Sequence, residues 1–333
     1  MIQMELWLSA ICIVVLAIII DAVLGEVPNA IHPLRWTGNL VSFLDRHIKR
    51  TSKTATRFKG FLGYMIVFLV YATVSFTLLA LIRFYLGEIP WIIASAFVFK
   101  VSFAVFSFRR HCKPIQKDLD NGDLKSAAAK TQMIVSRKTE GMDKEHIASS
   151  CTETISENLV DSVISPTFYF GILGVLGSSM FRCANLMDAM WGYINEKYGN
   201  LGFFVAKFDD VLGFITSRIS IVFVAIAAFI LRMDYRSVIP MAKEGSKLTP
   251  SPNSAWSMVA CAAALNISME KKDVYVMGKG SLPTTEDITR CYHLVELSSI
   301  LFIIAISLPL YAFIGIHVQV GIENIILSLG GLL

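Results

Sequence analysis

Residues 61–82 read FLGYMIVFLVYATVSFTLLALI, twenty-two consecutive positions without a charged side chain. A helix needs about 20 predominantly apolar residues to cross the hydrocarbon core of a bilayer. This stretch meets that length with nothing ionised to desolvate, so it predicts a membrane-spanning helix. Four further apolar runs, at 6–24, 89–108, 211–231 and 295–316, predict companions. Asp21 lies near the end of the first run, Lys100 in the 89–108 run and Arg218 in the 211–231 run. A sixth run, 166–181, is only 16 residues long and holds three glycines, Gly171, Gly174 and Gly177. It is too short to span comfortably and reads as a re-entrant or half-span segment.

Composition agrees with this reading. Of 333 residues 54% are hydrophobic and 17% charged, against about 25% charged in soluble domains. The net charge of +4 is mild, and no basic, aromatic-interleaved patch suggests nucleic acid as a partner. The six cysteines are scattered with no C-x-x-C pair, which argues against a disulfide framework or a zinc site. No Lys or Arg precedes the first apolar run. It therefore reads as a retained span, since a secretory signal has a basic start.

The basic residues gather between the spans. Residues 25–60 hold seven Lys/Arg, 109–165 hold nine and 232–294 hold eight, while the turn 83–88 holds one. Basic loops favour the cytoplasmic side, so the expectation is three cytoplasmic loops with the N-terminus and the 83–88 turn outside. Residues 120–136 and 143–164 fit two amphipathic helices, the second ending at Pro166. Residues 255–267 fit a short apolar helix, and 317–333 read as weakly amphipathic, lying on the membrane. The expected fold is thus all-α: a polytopic helical integral membrane protein with about five spans, a re-entrant or half-span segment and cytoplasmic amphipathic helices at 109–165 and 232–294, forming one domain over 1–333.

Four segments carry chemistry. Glu153, Glu157 and Asp161 recur every four residues, a spacing that stacks carboxylates on one helix face and costs stability unless a cation answers them. A solvated acidic face is the plain alternative. The stretch NLMDAMWGYINEKY (185–198) sets Asn185, Asp188, Tyr193 and Glu196 close together, ahead of the pair Asp209–Asp210 at the mouth of the 211–231 run. Ionised groups at membrane depth usually face a cavity and mark function. Near the N-terminus, DAVLGEVPNAIHPLRW (21–36) places His32 and Arg35 at a membrane exit, where they suit an anionic group or simply a snorkelling arginine. Ser251–Pro252–Asn253 forms a turn that binds a ligand or caps the following helix. No Walker A loop is present, and the glycines of 171–177 suit close helix packing.

Taken in order, these segments resemble the adenosylcobinamide-phosphate synthase family of cobalamin assembly (CbiB/CobD type). The matching positions are Asp21, Gly25, Glu26, Pro28, His32, Pro33 and Arg35; then Glu153, Glu157, Asn158, Asp161 and Pro166; then Asn185, Asp188, Met190, Gly192, Tyr193, Asn195, Glu196, Tyr198, Asp209 and Asp210; and last Ser251, Pro252 and Asn253. Departures from the pattern fall at Arg137-Lys138-Thr139, Ser162, Leu186, Gly213 and Thr216.

The resemblance implies an ATP-dependent ligase. It joins aminopropanol or its phosphate to a propionate carboxyl of adenosylcobyric acid, giving adenosylcobinamide or its phosphate. It further implies Mg2+ and ATP. Glu153, Glu157, Asp161 and Asp188 are the candidate catalytic groups, and Glu157, Asp161, Asp209 and Asp210 the candidate metal ligands. His32, Arg35, Asn158, Asn185, Tyr193, Ser251 and Asn253 are the candidate binding residues. Expected partners are the corrinoid, the amino alcohol and membrane lipid, with a homo-oligomer or a complex with other corrinoid enzymes also compatible. A cytoplasm-facing site in the cell membrane follows if 166–181 and the start of 211–231 fold back so that all four motifs share one cavity. The alternatives are a cation- or proton-coupled transporter, for which no paired repeat is visible, and a non-catalytic scaffold.

Overall fold

A computed structural model of the chain describes residues 5–28, 30 and 32–332. In chain order the helices are α1 (Leu6–Leu24), α2 (Pro33–His47), α3 (Lys53–Leu86), α4 (Glu88–Lys100), α5 (Ser107–Asp120), α6 (Leu124–Gln132), α7 (Lys144–Leu159), α8 (Ser165–Leu173), α9 (Val175–Trp191), α10 (Phe203–Ile230), α11 (Tyr235–Gly245) and α12 (Ser254–Leu265). A hairpin of β1 (Ser268–Lys271) and β2 (Tyr275–Gly278) follows, then α13 (Thr285–Phe302), α14 (Leu308–Leu310) and α15 (Ile316–Leu329). The last three helices run on through two π-helical turns, so Thr285–Leu329 is one helical stretch.

Four stretches are long and apolar enough to cross a membrane: Leu6–Leu24, Lys53–Leu86, Phe203–Ile230 and Thr285–Leu329. They contain or closely match the runs at 6–24, 61–82, 211–231 and 295–316. The chain is a polytopic helical membrane protein. The run at 89–108 differs. Its helix α4 has 13 residues, about 20 Å at 1.5 Å per residue, well short of a hydrocarbon core of about 30 Å. The run is apolar, but polar side chains let the helix stop: Ser102 Oγ donates to the Phe99 carbonyl at 2.6 Å and Lys100 Nζ to that of Phe103 at 3.3 Å.

The chain divides into two compact units. Unit 1 comprises Met1–Ala104, Ser165–Leu212 and Ile303–Leu333, and unit 2 comprises Val105–Ile164 and Gly213–Phe302.

In unit 1, α1 packs on α4, and α3 packs on α4, α9 and α15. Its centre stacks Phe99 on Phe170 at 3.6 Å, with Phe170 against Tyr311 at 4.1 Å. A second apolar cluster joins Val41, Tyr64, Val67, Phe181, Met187, Trp191 and Val205. On α3, Val70, Val74 and Leu78 remain exposed, as suits a helix bathed in acyl chains. The two charges that the sequence places in separate apolar runs meet here: Lys100 Nζ lies 2.7 Å from Asp21 Oδ1, both side chains buried. The short run 166–181 is a helix hairpin. α8 packs on α9, and the chain turns at Gly174 (φ 60°), where a Cβ would also come within 2.9 Å of Gln319.

The C-terminal helix is not a surface element. Gln319 and Glu323 of α15 are fully buried; Glu323 Oε1 accepts from Trp91 Nε1 at 3.0 Å and Gln319 Nε2 at 3.1 Å, and Arg83 lies 3.7 Å from Oε2. The alternation of polar and apolar residues in 317–329 is that of a helix inserted among others, with the polar stripe turned inward.

In unit 2, α7 packs on α13, α12 and β1, and α11 packs on α12. α12 is buried from Ala255 to Leu265 apart from the partly exposed Trp256, as its apolar sequence requires. Pro166 does not end the helix begun at Lys144. A π-helical turn at Val160–Ile164 precedes it, and Pro166 sits in the first turn of α8. A proline lacks an amide proton and crowds the carbonyl four residues back; a widened turn before it removes both difficulties. The segment 120–136 is likewise split, by Asn121-Gly122, into the end of α5 and α6. The β hairpin is an element that the helical reading of 232–294 misses. Its register pairs Met269 with Met277 and Lys271 with Tyr275.

Candidate functional site

The candidate residues assemble into two acidic groups, each built within one unit. The first lies on α7 in unit 2. Glu153 is almost fully buried and accepts hydrogen bonds from Arg137 and, at 2.7 Å, from the Tyr275 hydroxyl. Its second oxygen, Oε2, is buried with no hydrogen-bond partner. Glu157, one turn on, is half-buried. Burial, reinforced by the charge of Glu153, raises the Glu157 carboxyl above the ordinary carboxylate range, while Lys271 and Arg137 act the other way. Asp161 is half-buried in the π-helical turn Val160–Ile164 that continues α7.

The hairpin supplies what faces Glu153 and Glu157. Side chains alternate across a strand, so Met269, Lys271, Tyr275 and Met277 share one face. Both methionines are fully buried, so this is the packed face, and it carries Lys271 and Tyr275 to α7. Ser149 fixes the hairpin edge, donating to the Glu270 carbonyl at 3.4 Å and accepting from the Glu270 amide at 2.8 Å. Burial and the Glu153 carboxylate raise the Tyr275 phenol, which keeps it a neutral donor. Spacing arguments pass over Lys271 and Tyr275. The signal that marks them is the alternating pattern of SMEK and YVMG about the turn residue Asp273 (φ 60°).

The second group lies in unit 1. Asp188, near the end of α9, carries a carboxyl raised to about 6, by burial first and then by the charge of Asp210. Asp209 Oδ1 is buried without a hydrogen-bond partner, although Asn185 donates to the Asp209 carboxylate. Asn185 in turn accepts from Arg182 at 3.2 Å, and Asp210 pairs with Lys207 at 3.1 Å. Tyr193 is exposed and lies near Tyr198.

The remaining candidates have structural tasks. His32 caps α2: the Leu34 amide donates to His32 Nδ1 at 3.2 Å. Burial, then the charges of Arg182 and Lys100, lower its pKa, so the ring is neutral at pH 7 and offers no cation to a phosphate. Arg35 is exposed on the first turn of α2. Asn158 is spent on its own helix, donating to the Thr154 carbonyl at 2.9 Å and accepting from Ser162 at 2.8 Å.

The Ser251–Asn253 turn holds Arg218 rather than capping α12. Ser251 Oγ accepts from the Asn253 amide at 3.3 Å, while Asn253 Oδ1 accepts from Arg218 at 3.1 Å. The Asn253 side chain makes no cap bond. Gly213 is what admits it, since a Cβ there would stand 2.6 Å from Asn253 Nδ2.

No three His, Cys, Asp or Glu side chains are grouped among the described residues so as to hold a metal ion. Magnesium asks for less, because one or two carboxylates suffice when water and phosphate oxygens complete its shell. The unit 1 group fits that demand: Asp188 and Asp209 are like charges close enough to act on one another, and Asp209 Oδ1 has no hydrogen-bond partner. The Glu153–Glu157 pair fits a dication less well, since Arg137 and Lys271 already stand beside it.

A family described as "CobD/Cbib protein" matches residues 14–295. The chain belongs to this family of cobalamin biosynthesis proteins. Among its relatives, a "Probable cobalamin biosynthesis protein CobD" of Methanocaldococcus jannaschii is 35% identical over 303 residues, 89% of this chain and 97% of the relative. The "Cobalamin biosynthesis protein CobD" of Dehalococcoides mccartyi is 30% identical, covering 85% of this chain and 92% of its own. That of Clostridium perfringens is 30% identical, covering 82% and 87%. No solved structure matches the chain. Both acidic groups fall inside the family match, whereas Gln319 and Glu323 lie beyond it.

Proposed function

We propose that this member of the CobD/Cbib family forms the amide bond between a propionate carboxyl of adenosylcobyric acid and aminopropanol or its phosphate, at the cytoplasmic face of the cell membrane. The observation that carries the reading is Glu157, a half-buried carboxylate with no hydrogen-bond partner among the described residues, beside the buried and half-satisfied Glu153.

A carboxylate resists attack because a nucleophile adds charge to an anion, and ATP supplies the remedy by making the departing oxygen part of a phosphate. The amine arrives as an ammonium, whose nitrogen lone pair is occupied by a proton. Glu157 accepts that proton. A base whose pKa is raised by burial holds it better than an exposed carboxylate does. The nitrogen then bonds to the carbonyl carbon, phosphate leaves, and a second nitrogen proton is lost to give the neutral amide. Glu153, fixed by Arg137 and Tyr275, keeps a second negative charge beside the nitrogen. Within unit 1, Asp188 and Asp209 would hold a magnesium ion, which when bound would neutralise phosphate oxygens.

The charges inside apolar runs that suggested a transporter are tied up within the protein: Asp21 with Lys100, and Arg218 with Asn253. The test is amide formation by the purified protein from adenosylcobyric acid, aminopropanol phosphate, ATP and magnesium, followed by mass spectrometry of the corrinoid. Wild-type turnover with loss of at least about a hundredfold in Glu157→Gln is expected for a proton acceptor. Absence of any amide product with the wild type ends this reading.

A further inference from the structure

Between α2, α3 and α4 of unit 1 lies a cavity of about 410 Å³, within the range of about 300–1,000 Å³ that holds small ligands. Its floor is one face of α3 from Val67 to Leu78, a trough about 16 Å long at 1.5 Å per residue. Its walls are the first two turns of α2 around Trp36 and the end of α4 around Phe97. α4 has 13 residues beside the 34 of α3, and the trough opens where the shorter helix ends.

The trough is open along its side. Val70, Val74 and Leu78 line it and are nevertheless 47%, 63% and 50% exposed. All three lie in the uncharged run of a helix long and apolar enough to cross a membrane, so the opening faces acyl chains and not water. No charged side chain lines it. An ionised group entering here would lose its water and find no counter-charge, whereas a hydrocarbon chain enters without that cost.

Three hydroxyls interrupt the apolar lining, those of Thr37, Tyr71 and Ser75. Thr37 donates to the Pro33 carbonyl at 2.9 Å. The hydroxyls of Tyr71 and Ser75 make no hydrogen bond among the described residues. A helical serine can return its hydroxyl to the carbonyl four residues back. Ser156, Ser298 and Ser299 each do so at 2.7 Å, and Ser75 does not. Tyr71 and Ser75 are four residues apart, so they stand one above the other on the face that floors the trough. Two unmatched donors at membrane depth are costly, because no water is there to answer them. An acceptor carried in on a lipid chain would answer both.

We propose that this trough is a binding site for one glycerolipid of the surrounding membrane. One chain lies against α3, and the ester or ether oxygen that links it to glycerol accepts from the Tyr71 and Ser75 hydroxyls. The site recognises chain and linkage and is indifferent to the headgroup, since no charge lines it. None of the residues assigned to amide formation or to magnesium lines the trough, so the site is independent of that reading.

The experiment uses the full-length protein, stripped of lipid in detergent and titrated with dioleoylphosphatidylcholine or dioleoylphosphatidylglycerol, with bound lipid counted by native mass spectrometry. One molecule is expected to bind in a saturable step, and the two headgroups should agree within about threefold. Val74→Trp fills the trough from its floor and should weaken binding at least about tenfold, which is about 1.4 kcal/mol. Leu69→Trp changes another exposed position of α3, outside the trough, and should bind as the wild type does. Tyr71→Phe combined with Ser75→Ala removes only the donors and should weaken binding at least about fivefold. Graded uptake without saturation by the wild type overturns the proposal, and so does a Val74→Trp variant that binds lipid normally. If that variant keeps lipid but loses adenosylcobyric acid, the trough belongs to the corrinoid. A double variant that binds like the wild type overturns the linkage contact.

Discussion

Lys100 Nζ stands 2.7 Å from Asp21 Oδ1, joining the last residue of α4 to the end of α1 with both side chains out of solvent. Neither charge could be carried in an apolar environment without the other. Removing one partner of a buried pair typically costs about 3–5 kcal/mol, while replacing both by apolar groups of similar volume is often neutral. Asp21→Ala or Lys100→Ala should therefore lower the unfolding midpoint in detergent strongly, and Asp21→Leu combined with Lys100→Met should recover most of the loss. Two single variants as stable as the wild type would show that the pair contributes nothing.

Asp188 gives a pH dependence with a definite sign. Its carboxyl is raised from 3.8 to about 6, so between these values the folded protein holds a proton that the unfolded chain has released. Stability from this group is present below about pH 4 and declines as pH rises to about 6. Asp188→Asn should thus be more stable than the wild type at pH 7.5, by about 1–2 kcal/mol after allowance for screening, with the difference vanishing near pH 4. Millimolar magnesium should raise the midpoint of the wild type at pH 7.5 and leave the variant unmoved. Thermal melts at the two pH values, with and without the ion, read all four cases.

Tyr275 donates to a buried carboxylate at 2.7 Å. A hydrogen bond to a charged group contributes about 1.5–3 kcal/mol. Tyr275→Phe should destabilise by that order and, by loosening Glu153, lower amide turnover more than amine binding. Comparison of kcat with KM for the variant separates the two effects.

Glu323 lies beyond the family match, yet it accepts from Trp91 and Gln319 in the interior of unit 1. Glu323→Leu strands both donors, at about 1–3 kcal/mol for an unsatisfied buried group. Glu323→Gln keeps the accepting carbonyl and should stay within about 1 kcal/mol of the wild type. Denaturant midpoints of the two variants give the comparison.

The proposed orientation is checked at Ile194, which is 96% exposed in the stretch between α9 and α10. A cytoplasmic site places this stretch inside. An Ile194→Cys variant, made with the native cysteines replaced, should resist a membrane-impermeant thiol reagent on intact cells and react after permeabilisation. Labelling of intact cells would place the stretch on the outer side.

Much of the fold is written in local sequence. The uncharged run 61–82 announces α3, and the short length of 166–181 announces a re-entrant or half-span segment, because each depends on neighbours along the chain. Local pattern fails at 89–108, where apolarity continues past Lys100 but the helix does not; the stop depends on Ser102, Lys100 and a partner 79 positions earlier. It fails again at Pro166, where a π-helical turn ahead of the proline carries the helix on into α8 instead of ending it.

The sequence by itself determined that this chain is helical, lives in a membrane and carries the ordered acidic motifs of its family, since length, hydropathy and motif order are properties of the chain read along its own axis. Only the tertiary structure decided what each acid faces. Lys271 and Tyr275 come to Glu153 and Glu157 from more than a hundred residues away, and Asp21 finds Lys100 across two helices. A charge in low-dielectric surroundings is tolerated or reactive according to its neighbours in space, and spacing along the chain does not encode them.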